Sequence, residues 1–194
     1  MIDSKNIIGI ILAGGKSSRM GREKGLILLD RKPFIQHIID AMQPLVNSIV
    51  IVSSNADYDV FGIKRIEDII ADAGPMAGLH AGLSHSKTAY NLVVSCDVPL
   101  ITTAFLKKLL CYEKEGNDVV QFESKGKSIP LIALYKKQCA GKCYELLTNG
   151  ERRLRKLILA VKTKTITVLE KERLLVTNMN TVEDLKTITN AIDH

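Results

Sequence analysis

Three stretches of the chain are apolar at nearly every position: NIIGIILA at 6–13, SIVIVSS at 48–54 and NLVVSCD at 91–97. Such runs predict strands buried on both faces, because a half-exposed strand would alternate apolar with polar residues. Between the first two, Phe34, Ile35, Ile38, Ile39 and Met42 recur at helical spacing, with Pro33 expected as the first helical residue. GPMAGLHAGLSHS at 74–86 predicts a helix before the third strand, and TTAFLKKLLCYEKEG at 102–116 predicts one after it, stopped by Gly116. Strands alternating with helices in this way predict a parallel, doubly wound α/β sheet. The second half is less regular. NDVVQFES and IPLIALYK flank KGKS as a hairpin-like excursion. KKQCAGKCYELLTNG and ERRLRKLILAVK read as helices, TITVL as a late strand, and a last helix opens at NTVED, where Thr181 and Asp184 form a capping pair. With no repeat, linker or low-complexity segment, one domain over residues 1–194 is expected.

Composition adds limits. The chain has 194 residues, 46% hydrophobic and 25% charged, which is globular composition. No segment reaches the roughly 18 uninterrupted apolar residues of a membrane helix. Asp3 precedes a short apolar run that leads into glycines, unlike a secretory signal. Cys96, Cys111, Cys139 and Cys143 lack both C-x-x-C pairs and framework spacing. They read as reduced thiols, and the expected location is the cytoplasm, with no membrane partner. Cys139 and Cys143 fall four apart, on one face of a helix, but the histidines are too scattered to complete a zinc site. The net charge of +6 suits an anionic partner. Aromatics are 5%, and no basic block carries interleaved aromatics for base stacking, so phosphate-bearing small molecules fit better than nucleic acid.

The first apolar run ends in GIILAGGKSSRMGREKGLILLD, from Gly9 to Asp30. A P-loop needs G-x-x-x-x-G-K-[ST]; GKS at 15–17 would require glycine at position 10, which is Ile10. A dinucleotide fingerprint needs G-x-G, and Gly14 and Gly15 are adjacent instead. What remains is a strand ending in Leu12, Ala13, Gly14 and Gly15, where small residues let a nucleotide approach the backbone, followed by Ser17, Ser18, Arg19, Met20, Gly21 and Lys24. Arg19 and Lys24 supply charge suited to a triphosphate. Asp97, at the end of the third run, reads either as a carboxylate facing the crevice or as a cap for the helix near Thr102.

This pattern resembles the nucleotidyltransferase superfamily with a glycosyltransferase-A-like, Rossmann-related fold, and within it the molybdenum cofactor guanylyltransferases. IED at 66–68, AGPMAGLHAGL at 73–83, CDVPLI at 96–101, GERR at 150–153 and NMNT at 178–181 resemble blocks of that family in its order. The resemblance implies a three-layer α/β/α domain with a mostly parallel sheet. It implies nucleotide binding by Leu12, Ala13, Gly14, Gly15, Lys24, Asp68 and Asp97, with Asp97 as Mg²⁺ ligand and Lys24, Arg19 and Asp97 as catalytic residues. Asn180 matches a late polar position near the metal and acceptor phosphate, and could equally cap the last helix. Two positions depart from the family: Glu23 stands where Asp usually precedes the lysine, and Ile129 where His often precedes the proline of the P-x-I-A-L strand.

The implied reaction is GMP transfer from GTP to the terminal phosphate of molybdopterin or molybdenum-molybdopterin, with other cofactor-biosynthesis proteins and recipient molybdoenzymes as further partners. A CTP-using molybdopterin cytidylyltransferase and a sugar-phosphate nucleotidyltransferase remain open, since base-reading groups are partly main chain. A non-catalytic nucleotide-binding regulator would be expected to have lost Lys24 and Asp97; both are present.

Overall fold

The computed structural model describes residues 2–14, 23–68 and 74–179. Gly15, Arg19, Asn180 and the helix expected from NTVED lie outside the described residues.

The apolar runs form strands β1 (Ile7–Leu12), β4 (Ser48–Val52) and β6 (Tyr90–Ser95). Between β1 and β4 come a two-stranded hairpin, β2 (Leu28–Leu29) and β3 (Lys32–Pro33), and helix α1 (Phe34–Met42). β5 (Lys64–Ile66) and α2 (Pro75–His85) lead to β6, and α3 (Thr103–Lys107) follows it. Then come β7 (Val119–Ser124), β8 (Lys127–Lys136), α4 (Cys139–Thr148), α5 (Leu154–Ala160) and β9 (Thr163–Thr167). The sheet runs β5-β4-β1-β6-β8-β7-β9, and β8 alone among its seven strands is antiparallel to its neighbours.

Alternate residues of the central strands feed two cores. Ile7, Ile11, Ile51, Leu92 and Val94 pack with α1 and α3. Ile10, Leu12, Val50, Val52 and Val93 pack with α2, α4 and α5. Helices on both faces explain why these strands carry no polar alternation. Burial of this continuous apolar surface is the main force holding the three layers together.

Several expectations are corrected in detail. Pro33 lies one position before α1, as its N-cap residue at φ −59°, ψ 144°, and pairs with Leu28 in the hairpin. The helix expected over 102–116 is α-helical only to Lys107 and continues as a 3₁₀ helix over Lys108–Glu115, with Gly116 past its end at φ +70°. The late strand falls two residues early, at Thr163–Thr167, where it pairs parallel with β7 and leaves Val168 in the core. The KGKS excursion is a hairpin whose turn places Lys125 and Gly126 at φ 52° and 72°, the left-handed pair that suits strand twist.

β8 is irregular beside the end of β6. Gln121 of β7 faces Ala133, but the next residue, Phe122, faces Ile129, so Pro130, Leu131 and Ile132 arch past β7 unpaired, while Ile132 stays paired with Val94 of β6. The Tyr135 hydroxyl donates to the Pro130 carbonyl at 2.7 Å and holds this arch. Ile129, at the family's histidine position, packs half-buried against the α1/α3 core.

Candidate active site

The strand order reverses between β1 and β6: the chain leaves β1 for β4 and β5 on one side, then crosses to β6 on the other. In open α/β sheets, ligands bind outside the carboxyl ends of the strands at such a point. Here those ends are stitched together by main chain. Ala13 N–H donates to the Val52 carbonyl at 3.0 Å, Cys96 N–H to the Leu12 carbonyl at 3.1 Å, and Ser53 N–H to the Ile66 carbonyl at 2.9 Å. Leu12 and Ala13 are buried, whereas Gly14 is exposed, and among the described residues a Cβ built on it would find nothing nearer than the Val52 carbonyl at 4.0 Å. The chain thus comes to the surface at Gly14, at the end of β1.

Asp97 leaves β6 in the same place and is 9% exposed. Ser95 Oγ donates to its Oδ1 at 2.5 Å, and Met179 N–H donates to its backbone carbonyl at 2.8 Å. The helix-capping alternative fails: Thr102 caps α3, its Oγ1 accepting from Phe105 N–H at 3.3 Å. Asp97 is thus a carboxylate held at the strand end rather than spent on a helix terminus. The bond from Met179 also brings the first two residues of NMNT, Asn178 and Met179, toward Asp97.

Lys24 opens a 3₁₀ turn, Lys24–Leu26, after Glu23. The chain beyond it is tied down by a small third core in which Leu29, Phe34 and Met179 are buried and Ile27 and Leu100 pack alongside. Phe34 N–H donates to the Ile27 carbonyl at 2.9 Å. That core joins the segment after Lys24, the segment after Asp97 and Met179. The Cys96 thiol registers the result. Burial pushes it up to about 12, with negative Asp97 adding to the shift, positive Lys24 opposing it and Glu23 adding again.

The third contributor is α2. Gly74 starts it at φ +71°, ψ −166°, a conformation open essentially to glycine alone, with Pro75 at the first helical position. Gly78 and Gly82, one turn apart, let the helix backbone approach β1. A Cβ on Gly82 would lie 2.6 Å from Ile10 Cγ2, and one on Gly78 3.5 Å from Leu12 Cδ2 and 3.3 Å from Asp68 Oδ1. Asp68 is thereby drawn from the end of β5 to Leu12 and Val52. As a whole residue Asp68 is exposed, yet its carboxyl faces the wall of α2, and desolvation there raises its pKa from 3.8.

A carboxylate raised in this way disfavours the folded state once ionised. The penalty is absent below the unfolded value, grows as pH rises through the raised native value, and is complete above it. Asp68→Asn is therefore expected to melt higher than the unsubstituted chain at neutral pH and to lose that advantage in acid. Thermal denaturation from about pH 3 to pH 8 checks this, and a variant equal or less stable at neutral pH would count against the desolvated carboxyl.

The structure gathers Leu12, Ala13, Gly14, Lys24, Asp68 and Asp97 around the ends of β1, β4, β5 and β6. The sequence reading missed Ser95, Tyr58 and Arg65. Ser95 had a visible signal, lying two residues before Asp97 at the end of the same strand. Arg65 donates through Nε to Asp59 at 2.7 Å and through a terminal nitrogen to the Ser53 carbonyl at 3.1 Å and to Glu67 at 3.2 Å, tying the segments after β4 and β5 together.

Residues 9–165 match the family model described as MobA-like NTP transferase domain. A probable molybdenum cofactor guanylyltransferase of Flavobacterium johnsoniae is 38% identical over 175 residues, covering 90% of this chain and 92% of that protein. The molybdenum cofactor guanylyltransferase of Vibrio campbellii is 35% identical over 179 residues, 91% of each. The crystal structure of molybdopterin-guanine dinucleotide biosynthesis protein A from Archaeoglobus fulgidus superposes with a TM-score of 0.81 at 24% identity, over 96% of this chain and 98% of that one. The chain belongs to the MobA-like NTP transferase family, alongside the molybdenum cofactor guanylyltransferases.

Proposed function

We propose that this protein transfers GMP from GTP to the terminal phosphate of molybdopterin, or of its molybdenum form, releasing pyrophosphate. The observation that carries the reading is the convergence of the Lys24 turn and Asp97 on the end of β1. An oxygen of the acceptor phosphate forms a bond to the α-phosphorus of GTP as the bond from that phosphorus to the α–β bridging oxygen breaks. The electron pair leaves with pyrophosphate. The acceptor brings its own nucleophile, so the chain needs to orient the reactants and meet developing negative charge.

In this scheme the backbone of Leu12, Ala13 and Gly14 admits the nucleotide, and the exposed Gly14 gives the closest approach. Asp68 beside Gly78 takes a polar group of the nucleoside. Lys24 meets the charge growing on the phosphates, and Arg19 holds the leaving β- and γ-phosphates. The donor set also fits Mg²⁺. Among the described residues, no group of three or more His, Cys, Asp or Glu is placed to cage an ion. Mg²⁺ instead takes one or two carboxylates and keeps water and substrate phosphates as its other ligands, a role open to Asp97. Bound there, the ion supplies neutralisation of triphosphate charge. Ser95 keeps the Asp97 carboxylate in one orientation.

The product would pass to molybdoenzymes that use the dinucleotide cofactor, and the expected location is the cytoplasm. No helix among the described residues is long and apolar enough to cross a membrane.

A panel of GTP, CTP, ATP and UTP with Mg²⁺, with and without molybdopterin, tests the reading. Pyrophosphate is expected from GTP only when the pterin is added. Release with CTP would change the donor, and release without pterin or with a sugar phosphate would change the acceptor.

A further inference from the structure

Tyr58 belongs to none of the blocks considered above, yet it is buried to 0% exposure and reaches the turn that carries Lys24. It lies on a 3₁₀ helix, Ala56–Phe61, immediately after β4. The Asn55 side chain caps that helix by accepting from Asp57 N–H at 2.9 Å, Gly62 closes it in the left-handed conformation, and Arg65 pins Asp59. The helix is therefore a fixed platform. From it the Tyr58 hydroxyl donates to Glu23 Oε2 at 3.3 Å, and its ring lies against Gly25 so closely that a Cβ there would meet Oη at 2.7 Å and Cε1 at 3.0 Å. Tyr58 thus contacts the residue on each side of Lys24.

We propose that Tyr58 is a positioning residue for the reaction: its hydroxyl bond to Glu23 and its packing on Gly25 fix the Lys24 turn relative to the strand ends. The inference rests on the reading of Lys24 given above. A lysine on a flexible stem gains catalytic value only if its base is held, since a small displacement of a charge-stabilising group costs rate even when the substrate still binds. Burial keeps the phenol protonated, and therefore a donor, by pushing its pKa well above the ordinary value.

The experiment is steady-state pyrophosphate release from GTP and pterin by the full chain, with melting temperatures. Tyr58→Phe retains the ring against Gly25 and removes the hydroxyl. It is expected to lower kcat by about 5- to 20-fold with KM for GTP changed less than about twofold. Glu23→Gln weakens the same bond at the edge of the core and is expected to behave alike without a fall in melting temperature. If the hydroxyl acts through Glu23, the double variant loses no more than the more severe single variant. Losses that multiply, or an unchanged kcat in Tyr58→Phe while Lys24→Ala is inactive, would overturn the role of Tyr58 and leave Lys24 standing. Full activity in Lys24→Ala would overturn both.

Discussion

Asp97→Ala is expected to leave a folded protein that forms product at least about 10³-fold more slowly, a loss of about 4 kcal/mol in transition-state stabilisation. The size follows from position. Asp97 is the buried carboxylate at the end of β6, beside the reversal in strand order, with one oxygen already oriented by Ser95. Alanine removes both the charge and the acceptor for the Ser95 hydroxyl. It leaves the main-chain bond from Met179 to residue 97, so Met179 keeps its attachment. Asp97→Asn separates charge from geometry, because the amide oxygen still accepts from Ser95. Its melting temperature is expected to stay near that of the unsubstituted chain while its activity falls with that of Asp97→Ala. Pyrophosphate release titrated with Mg²⁺ makes the measurement. Undiminished metal-dependent turnover in either variant would remove Asp97 from the mechanism.

What could be seen in the sequence was set by how local each determinant is. β1, β4 and β6 were legible because burial on both faces leaves an unbroken apolar signature within six residues or so. Leu12 to Gly14 and Asp97 were legible for the same reason, as the residues where such a signature stops. β5 was not, since Lys64–Ile66 has two charged residues out of three and is a strand only because it pairs with Val50–Val52. The β2–β3 hairpin was hidden because its turn uses Asp30 and Arg31 at φ 49° and 63°, where glycine or asparagine would have been the usual sign. The antiparallel turn of β8 on β7 was legible in KGKS, but its place beside β6 was not, because an apolar run suits a parallel or an antiparallel neighbour. Tyr58 shows the limit most plainly. Nothing within ten residues of it points to Lys24, and the contact exists because β4 lies beside β1, so that the segments following those two strands meet.

Lys24→Ala is expected to lower kcat by about 10²- to 10³-fold, with a smaller effect on KM for GTP. The turn that carries Lys24 is held against Tyr58, just after β4, which sets its base at the strand ends. A preorganised cation there gains most when charge moves onto the leaving pyrophosphate, so its removal costs the transition state more than the bound substrate. Melting temperatures measured beside kcat separate lost charge from a lost turn, which Glu23, Gly25 and the core formed by Ile27, Leu29, Phe34 and Met179 also hold. Lys24→Arg preserves charge but replaces a compact ammonium by a planar fork. It is expected to recover only part of the rate, because the turn is held from both sides and has little freedom to accommodate the larger head group. Single-turnover measurements at saturating GTP separate chemistry from binding. A variant whose entire loss appeared in KM would make Lys24 a binding residue for the ground-state triphosphate, and full recovery by arginine would reduce its part to net charge.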